Sequence, residues 1–137
     1  MIDKENLRND IKRGCESNER SEKAFREKIV IDILKDLGWD KDKDIKYEEQ
    51  ITVGTRQFHV DYLIEEANGN LVIEVKPPTE SIDDYQQQII SYIKLLDNTK
   101  YGILFNGKKM YVFTPGSSKP KFCWECKDDL EIFYKLA

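Results

Sequence analysis

Two strand-like segments flanking Ala67-Asn68-Gly69-Asn70 constrain this chain most: Val60-Asp61-Tyr62-Leu63-Ile64 and Val72-Ile73-Glu74-Val75-Lys76. Both are rich in β-branched and aromatic residues, and Asn-Gly between such runs is a strong hairpin signal. With Asn68 and Gly69 as the two central turn residues, Ala67 pairs with Asn70. Leu63 then lies opposite Glu74, and Asp61 opposite Lys76. Because strand side chains alternate faces, Asp61, Leu63, Glu74 and Lys76 share one face. Val60, Tyr62, Ile64, Ile73 and Val75 share the other. Two carboxylates and an ammonium should therefore lie within about 5–8 Å of one another. A slip of one residue would separate them.

A carboxylate pair on adjacent strands suits a hard divalent cation such as Mg²⁺, which takes a few oxygen ligands and keeps several waters. A lysine beside it can orient a water or stabilise charge on a phosphate. The same residues also describe a surface hairpin with a cross-strand ion pair, an arrangement that contributes little.

Upstream, the spacing predicts a helix from about Ser21 to Leu37, with Ser21 as N-cap and Gly38 as C-cap. Phe25, Ile29, Val30, Ile33, Leu34 and Leu37 form its apolar stripe. Glu22 falls within the stripe and Glu27 toward its edge. A carboxylate there either meets a metal or a lysine or is a first-turn residue favoured by the helix dipole. Residues 1–20 are highly charged, with apolar positions at Ile2, Leu7 and Ile11, and predict a loosely packed helical extension to a single domain over 21–137.

Strands are expected at Tyr47–Val53, Arg56–Glu65, the segment ending at Lys76 before Pro77-Pro78, Tyr101–Phe105 and Lys109–Phe113. Phe122–Cys126 reads as a short edge strand. Ser81-Ile82-Asp83-Asp84 opens a helix to about Leu96, with Gln88 on or beside its packed face, and a closing helix is expected over Asp128–Leu136. Asn106-Gly107 marks a second hairpin. A strand-helix-strand passage from Val75 to Tyr101 implies a crossover, and hence an α/β fold with a central mixed sheet flanked by helices.

These residues resemble the PD-(D/E)xK nuclease superfamily, and most closely the N-terminal nuclease domain of type I restriction enzyme R subunits. Val60-Asp61 stands for its Asp and Glu74-Val75-Lys76 for its E-x-K, while Gln88-Ile89-Ile90-Ser91-Tyr92 reads as Q-x-x-x-Y. Ser21-Glu22 with Arg26, running to Leu37-Gly38-Trp39-Asp40, resembles its first helix, and Tyr101 to Gly107 its later strand and turn. The likeness covers roughly Ser21 to Phe113, with Val60 replacing the superfamily's proline. It implies a restriction-endonuclease-like core and Mg²⁺-dependent (or Mn²⁺-dependent) hydrolysis of DNA. Asp61, Glu74, the Val75 carbonyl and Glu22 would be metal ligands, Lys76 would act on the attacking water, and Gln88 would orient Lys76 or substrate. It also implies DNA, with a motor or specificity subunit, as partners. A homodimer is compatible with it, and nothing in the sequence fixes the oligomeric state.

Other features narrow the reading. A formal net charge of −4 argues against a strongly basic nucleic-acid binder, and no apolar run approaches the ~20 residues of a membrane helix. The first residues lack the apolar stretch of a signal peptide, so cytoplasmic residence is the default expectation. No phosphate-binding G-x-x-x-x-G-K-[ST] motif is present. Cys123-Trp124-Glu125-Cys126 lacks nearby partners for a zinc site, since Cys15 and His59 are distant in sequence. The three cysteines are accordingly expected to be reduced. The alternative to an enzyme is a non-catalytic nucleic-acid-binding or protein-interaction module on the same fold.

Overall fold

The computed structural model describes residues Met1–Ala137. Its centre is a six-stranded mixed sheet in the order β1-β2-β3-β4-β5-β6. The strands are β1 (Ile45–Val53), β2 (Arg56–Ile64), β3 (Asn70–Val75), β4 (Thr99–Phe105), β5 (Lys109–Phe113) and β6 (Phe122–Glu125). Only β3 and β4 are parallel; every other neighbouring pair is antiparallel. The predicted α/β architecture is therefore observed.

Helices cover both faces. Helix α1 is Lys4–Glu16, and α2 spans 22–36. The predicted caps of α2 are present: Ser21 Oγ accepts the Ala24 N–H at 3.2 Å, and Gly38 closes the far end at φ +103°. One turn of α2, Arg26–Val30, has π-helical bonding that the apolar period does not reveal. Such turns are often associated with functional sites. Helix α3 (Gln86–Leu95) makes the β3–β4 crossover, and α4 (Glu131–Leu136) closes the chain. Before α3, a 3₁₀ turn over Asp83–Tyr85 takes up the segment that the Ser81 signal assigned to the helix start.

The larger core joins α1, α2 and α4 to one side of the sheet through residues such as Phe25, Tyr62, Ile73, Val75, Phe105 and Trp124. Trp39, just past α2, is buried and donates its indole N–H to Glu66. The smaller core packs Ile82, Ile89, Ile90 and Ile93 on Leu63, Val72 and Leu104. Gly102 permits the close approach of α3, because a Cβ there would stand 2.5 Å from Ile93 Cγ2.

Three expectations are corrected. The β2–β3 register pairs Ile64 with Leu71 and Tyr62 with Ile73, two residues away from the predicted register. The turn is longer than two residues: the Gly69 N–H reaches Glu66 O at 3.1 Å with Gly69 at φ +121°, and the Asn70 N–H goes to Asn98 O. Helix α1 is not loose, since Leu7 and Ile11 are buried in the main core. The cysteines are not all reduced: Cys15 and Cys126 form a disulfide, leaving Cys123 free. Their separation of 111 residues hides the pairing from any local motif.

Candidate active site

The two-residue register shift preserves side-chain parity, so Asp61 faces Glu74 directly rather than Lys76. Regular pairing between β2 and β3 stops at Tyr62 and Ile73. Beyond that point side chains replace the ladder: Glu74 Oε1 accepts the Asp61 N–H at 3.1 Å, and Asp61 Oδ2 accepts the Val75 N–H at 2.7 Å. The partner strand is also irregular here, with Glu48 at φ +46° and no regular pair formed with Asp61.

Strand β2 changes phase at this position. Tyr62 and Ile64 join the α2 core, whereas Val60 joins Leu63 and Val72 in the α3 core. Val60 thus departs from the face predicted for it, because strict alternation fails where the strand is distorted. Asp61 sits at the break, where groups from both helical layers can reach it.

From α2 come Glu22 and Arg26, one helical turn apart. Arg26 Nη1 lies 3.3 Å from Asp61 Oδ1, and Nη2 donates to Glu48 Oε1 at 3.0 Å. The Glu22 carboxyl is pushed up by burial and by the charge of Asp61, with Lys76 and Arg26 opposing the shift. Glu74 is only 4% exposed. Burial first, and then the Asp61 charge, raise its carboxyl to about 8. Lys76 opposes that shift, and its Nζ lies 4.2 Å from the centroid of the Tyr85 ring.

From α3, Gln88 Nε2 donates to Tyr92 Oη at 3.0 Å, while Gln88 Oε1 is buried without a partner. The Tyr92 ring stacks on Phe58 with centroids 4.7 Å apart. Its hydroxyl is raised by burial and by the charges of Glu74 and Asp61, which ties Gln88 to the carboxylate cluster.

The structure thus gathers Glu22, Asp61, Glu74 and Lys76 around one locus, with Gln88 linked through Tyr92. Exposed His59 pairs with Gln50 on the adjoining strand. Arg26 has a larger part than its motif position indicated, and its spacing of four from Glu22 was the available signal. No three His, Cys, Asp or Glu side chains form a ready-made metal cage. Asp61, Glu74 and Glu22 do supply oxygen donors of the kind a hard cation takes.

Residues 21–124 match the family model for the type I restriction enzyme R protein N terminus (HSDR_N). The chain belongs to this family. Comparison with curated proteins finds no match. In this HSDR_N domain the matched span runs from the N-cap of α2 through most of β6 and contains every residue of the carboxylate cluster. No helix is long and apolar enough to cross a membrane.

Proposed function

We propose that this domain is a metal-dependent nuclease that hydrolyses phosphodiester bonds in DNA. The observation carrying the reading is the buried Glu74 carboxylate facing Asp61, with Glu22 and Lys76 beside them. Two of these carboxylates are pushed above their ordinary range by burial first and then by the charge of Asp61, more than Lys76 and Arg26 offset. A cation would relieve that repulsion, so the donor set fits Mg²⁺ or Mn²⁺ in its chemistry.

Asp61 and Glu74 would hold one or two ions, with the Val75 carbonyl and Glu22 as further ligands. Such an ion supplies Lewis acidity toward the phosphate and acidifies a coordinated water. Lys76 leaves the Tyr85 ring to hold the attacking water and to meet negative charge growing on the phosphate. Gln88, fixed by Tyr92, offers its unpartnered Oε1 to the Lys76 ammonium or to that water. Family membership supports DNA as substrate and a further restriction-enzyme subunit as partner.

The second reading, a non-catalytic binding module, draws on one observation: Arg26 already engages Asp61, as a structural ion pair would. Cleavage of supercoiled, linear and single-stranded DNA, with Mg²⁺, Mn²⁺ or EDTA, separates the two. Divalent-dependent cutting lost in both Asp61→Ala and Lys76→Ala supports the enzyme. A folded wild type that binds DNA and never cuts it supports the module.

A further inference from the structure

Beside the carboxylates lies a groove of about 560 Å³, between the first turns of α2, the loop before β1, and β1 itself. Its volume is within the range of roughly 300–1,000 Å³ typical of small-ligand sites. Lys23, Arg26 and Lys41 line it together with Tyr47, Tyr62 and Glu48. Arg26 belongs to both places, since its Nη1 meets Asp61 while its side chain walls the groove.

Three features of the groove point to a ligand. Tyr47, at 41% exposed, is the one large apolar side chain besides the terminal Met1 that the fold leaves open. It is nonetheless held in place: its ring meets Tyr62 edge-on at 5.6 Å, and its hydroxyl donates to Lys41 O at 3.4 Å. Lys23 and Lys41 take part in no ion pair. Arg26 Nε is buried without an acceptor, although the guanidinium's other nitrogens are engaged. A buried N–H left unpaired costs free energy that a turn of the guanidinium toward an incoming oxygen would recover.

Charge orients the ligand. Arg26 is shared between Glu48 and Asp61, and Glu27 also lines the groove, which leaves Lys23 as the unpaired cation beside Arg26. At the other end burial, then the charges of Asp42 and Asp40, raise the Tyr47 hydroxyl. An anionic group therefore belongs at the Lys23–Arg26 end, and a neutral ring against Tyr47. A phosphate next to a flat heterocycle meets both requirements, and Arg is suited to binding phosphate oxygens. An internal base of a duplex has both faces covered by its neighbours, so it reaches a protein ring only after leaving the stack, whereas the bases of a single strand are accessible.

We propose that this groove seats an unpaired nucleotide of a single-stranded nucleic acid beside the cleavage centre, with its phosphate on Arg26 and Lys23 and its base on Tyr47. The inference rests on the nuclease reading for its location, and the substrate it names is a strand with accessible bases.

The test is equilibrium binding of labelled oligo(dT), an abasic strand of equal length, and a duplex, all in EDTA so that cleavage plays no part. Wild type should bind oligo(dT) more tightly than the abasic strand. Tyr47→Ala should weaken oligo(dT) binding by about tenfold, as loss of one stacked base does. Abasic and duplex affinity should be unchanged. Tyr47→Phe should bind as wild type, and Tyr47→Ile replaces Tyr47→Ala if the smaller residue disturbs the edge strand. Lys23→Glu should reduce the salt dependence of binding. Equal wild-type affinity for abasic and base-bearing strands overturns the proposal, as does a preference for duplex or an unchanged affinity in Tyr47→Ala. Failure of the nuclease reading would look different: base-dependent binding intact, with no divalent-dependent cutting.

Discussion

Glu74 accepts the Asp61 N–H at 3.1 Å while Asp61 accepts the Val75 N–H at 2.7 Å, so two carboxylates that repel each other are tied by each other's strands. The main-chain bonds hold the repulsion in place. That arrangement makes the site costly to fold in the absence of a cation and receptive to one.

Glu74→Gln should consequently stabilise the metal-free protein while abolishing cleavage. The glutamine Oε1 can still accept the Asp61 N–H, and the buried charge is gone. Because the folded-state pKa of Glu74 is raised, to about 8, the folded protein holds this proton more tightly than the unfolded chain does. The stability it confers is complete below the ordinary carboxylate range and is lost as pH rises through about 8. Unfolding free energies of wild type and Glu74→Gln from urea titrations should coincide near pH 4 and diverge upward, by on the order of 3–4 kcal/mol at pH 7 to 8. Mg²⁺ should narrow that gap by stabilising the wild type alone. A variant less stable than wild type at pH 8 would refute this.

Lys76 forms no salt bridge, and its ammonium lies over the Tyr85 ring. Such a contact at a half-exposed site is worth about 1 kcal/mol, so Lys76→Ala should unfold at nearly the wild-type denaturant concentration. Its cleavage rate should fall by about 10²- to 10⁴-fold, the usual cost of losing a group that moves a proton or meets transition-state charge. A large stability loss with cleavage retained would make Lys76 a structural residue.

Much of this site was readable because face assignment depends on parity rather than register. A shift of two residues kept Asp61 and Glu74 together, although it exchanged the partner expected for Asp61. The break in alternation at Asp61 was not readable, because it arises from strand distortion opposite Glu48 and leaves no mark in the hydrophobic pattern. Capping signals at Ser21 and Gly38 bounded α2 correctly, whereas the π turn carrying Arg26 depends on packing. The exposed ring of Tyr47 and the groove around it require the loop before β1 to be placed against α2, which local sequence does not specify.

Asp36, on the last turn of α2, provides a control away from the carboxylate site. Burial, and then the hydrogen bond and charge of Asp10, raise its carboxyl to about 7, and its Oδ2 is buried without a partner. The sign is that of Glu74: stability from this proton is complete below the ordinary aspartate range and is lost as pH rises through about 7. Asp36→Asn should therefore gain stability over wild type between pH 4 and 7, with no further gain above. Its cleavage rate should equal that of wild type at every pH. Thermal midpoints across that range, with parallel cleavage assays, check both statements.

The Cys15–Cys126 bond joins the end of α1 to the segment after β6, closing a loop with a sequence separation of 111. For loops of about that length, chain-entropy arguments assign roughly 4–5 kcal/mol of stabilisation. Reduction should lower the denaturation midpoint substantially, and Cys15→Ser should match the reduced wild type and be insensitive to reductant. Leu7 and Ile11 anchor α1 in the main core through apolar contacts of their own, so α1 should keep that anchorage at low temperature after reduction. Neither cysteine lies in the carboxylate cluster or the Tyr47 groove. Cleavage at 20 °C should therefore survive reduction, while activity after mild heating should not. Loss of cleavage on reduction with the fold intact by circular dichroism would show that the bond also shapes the site.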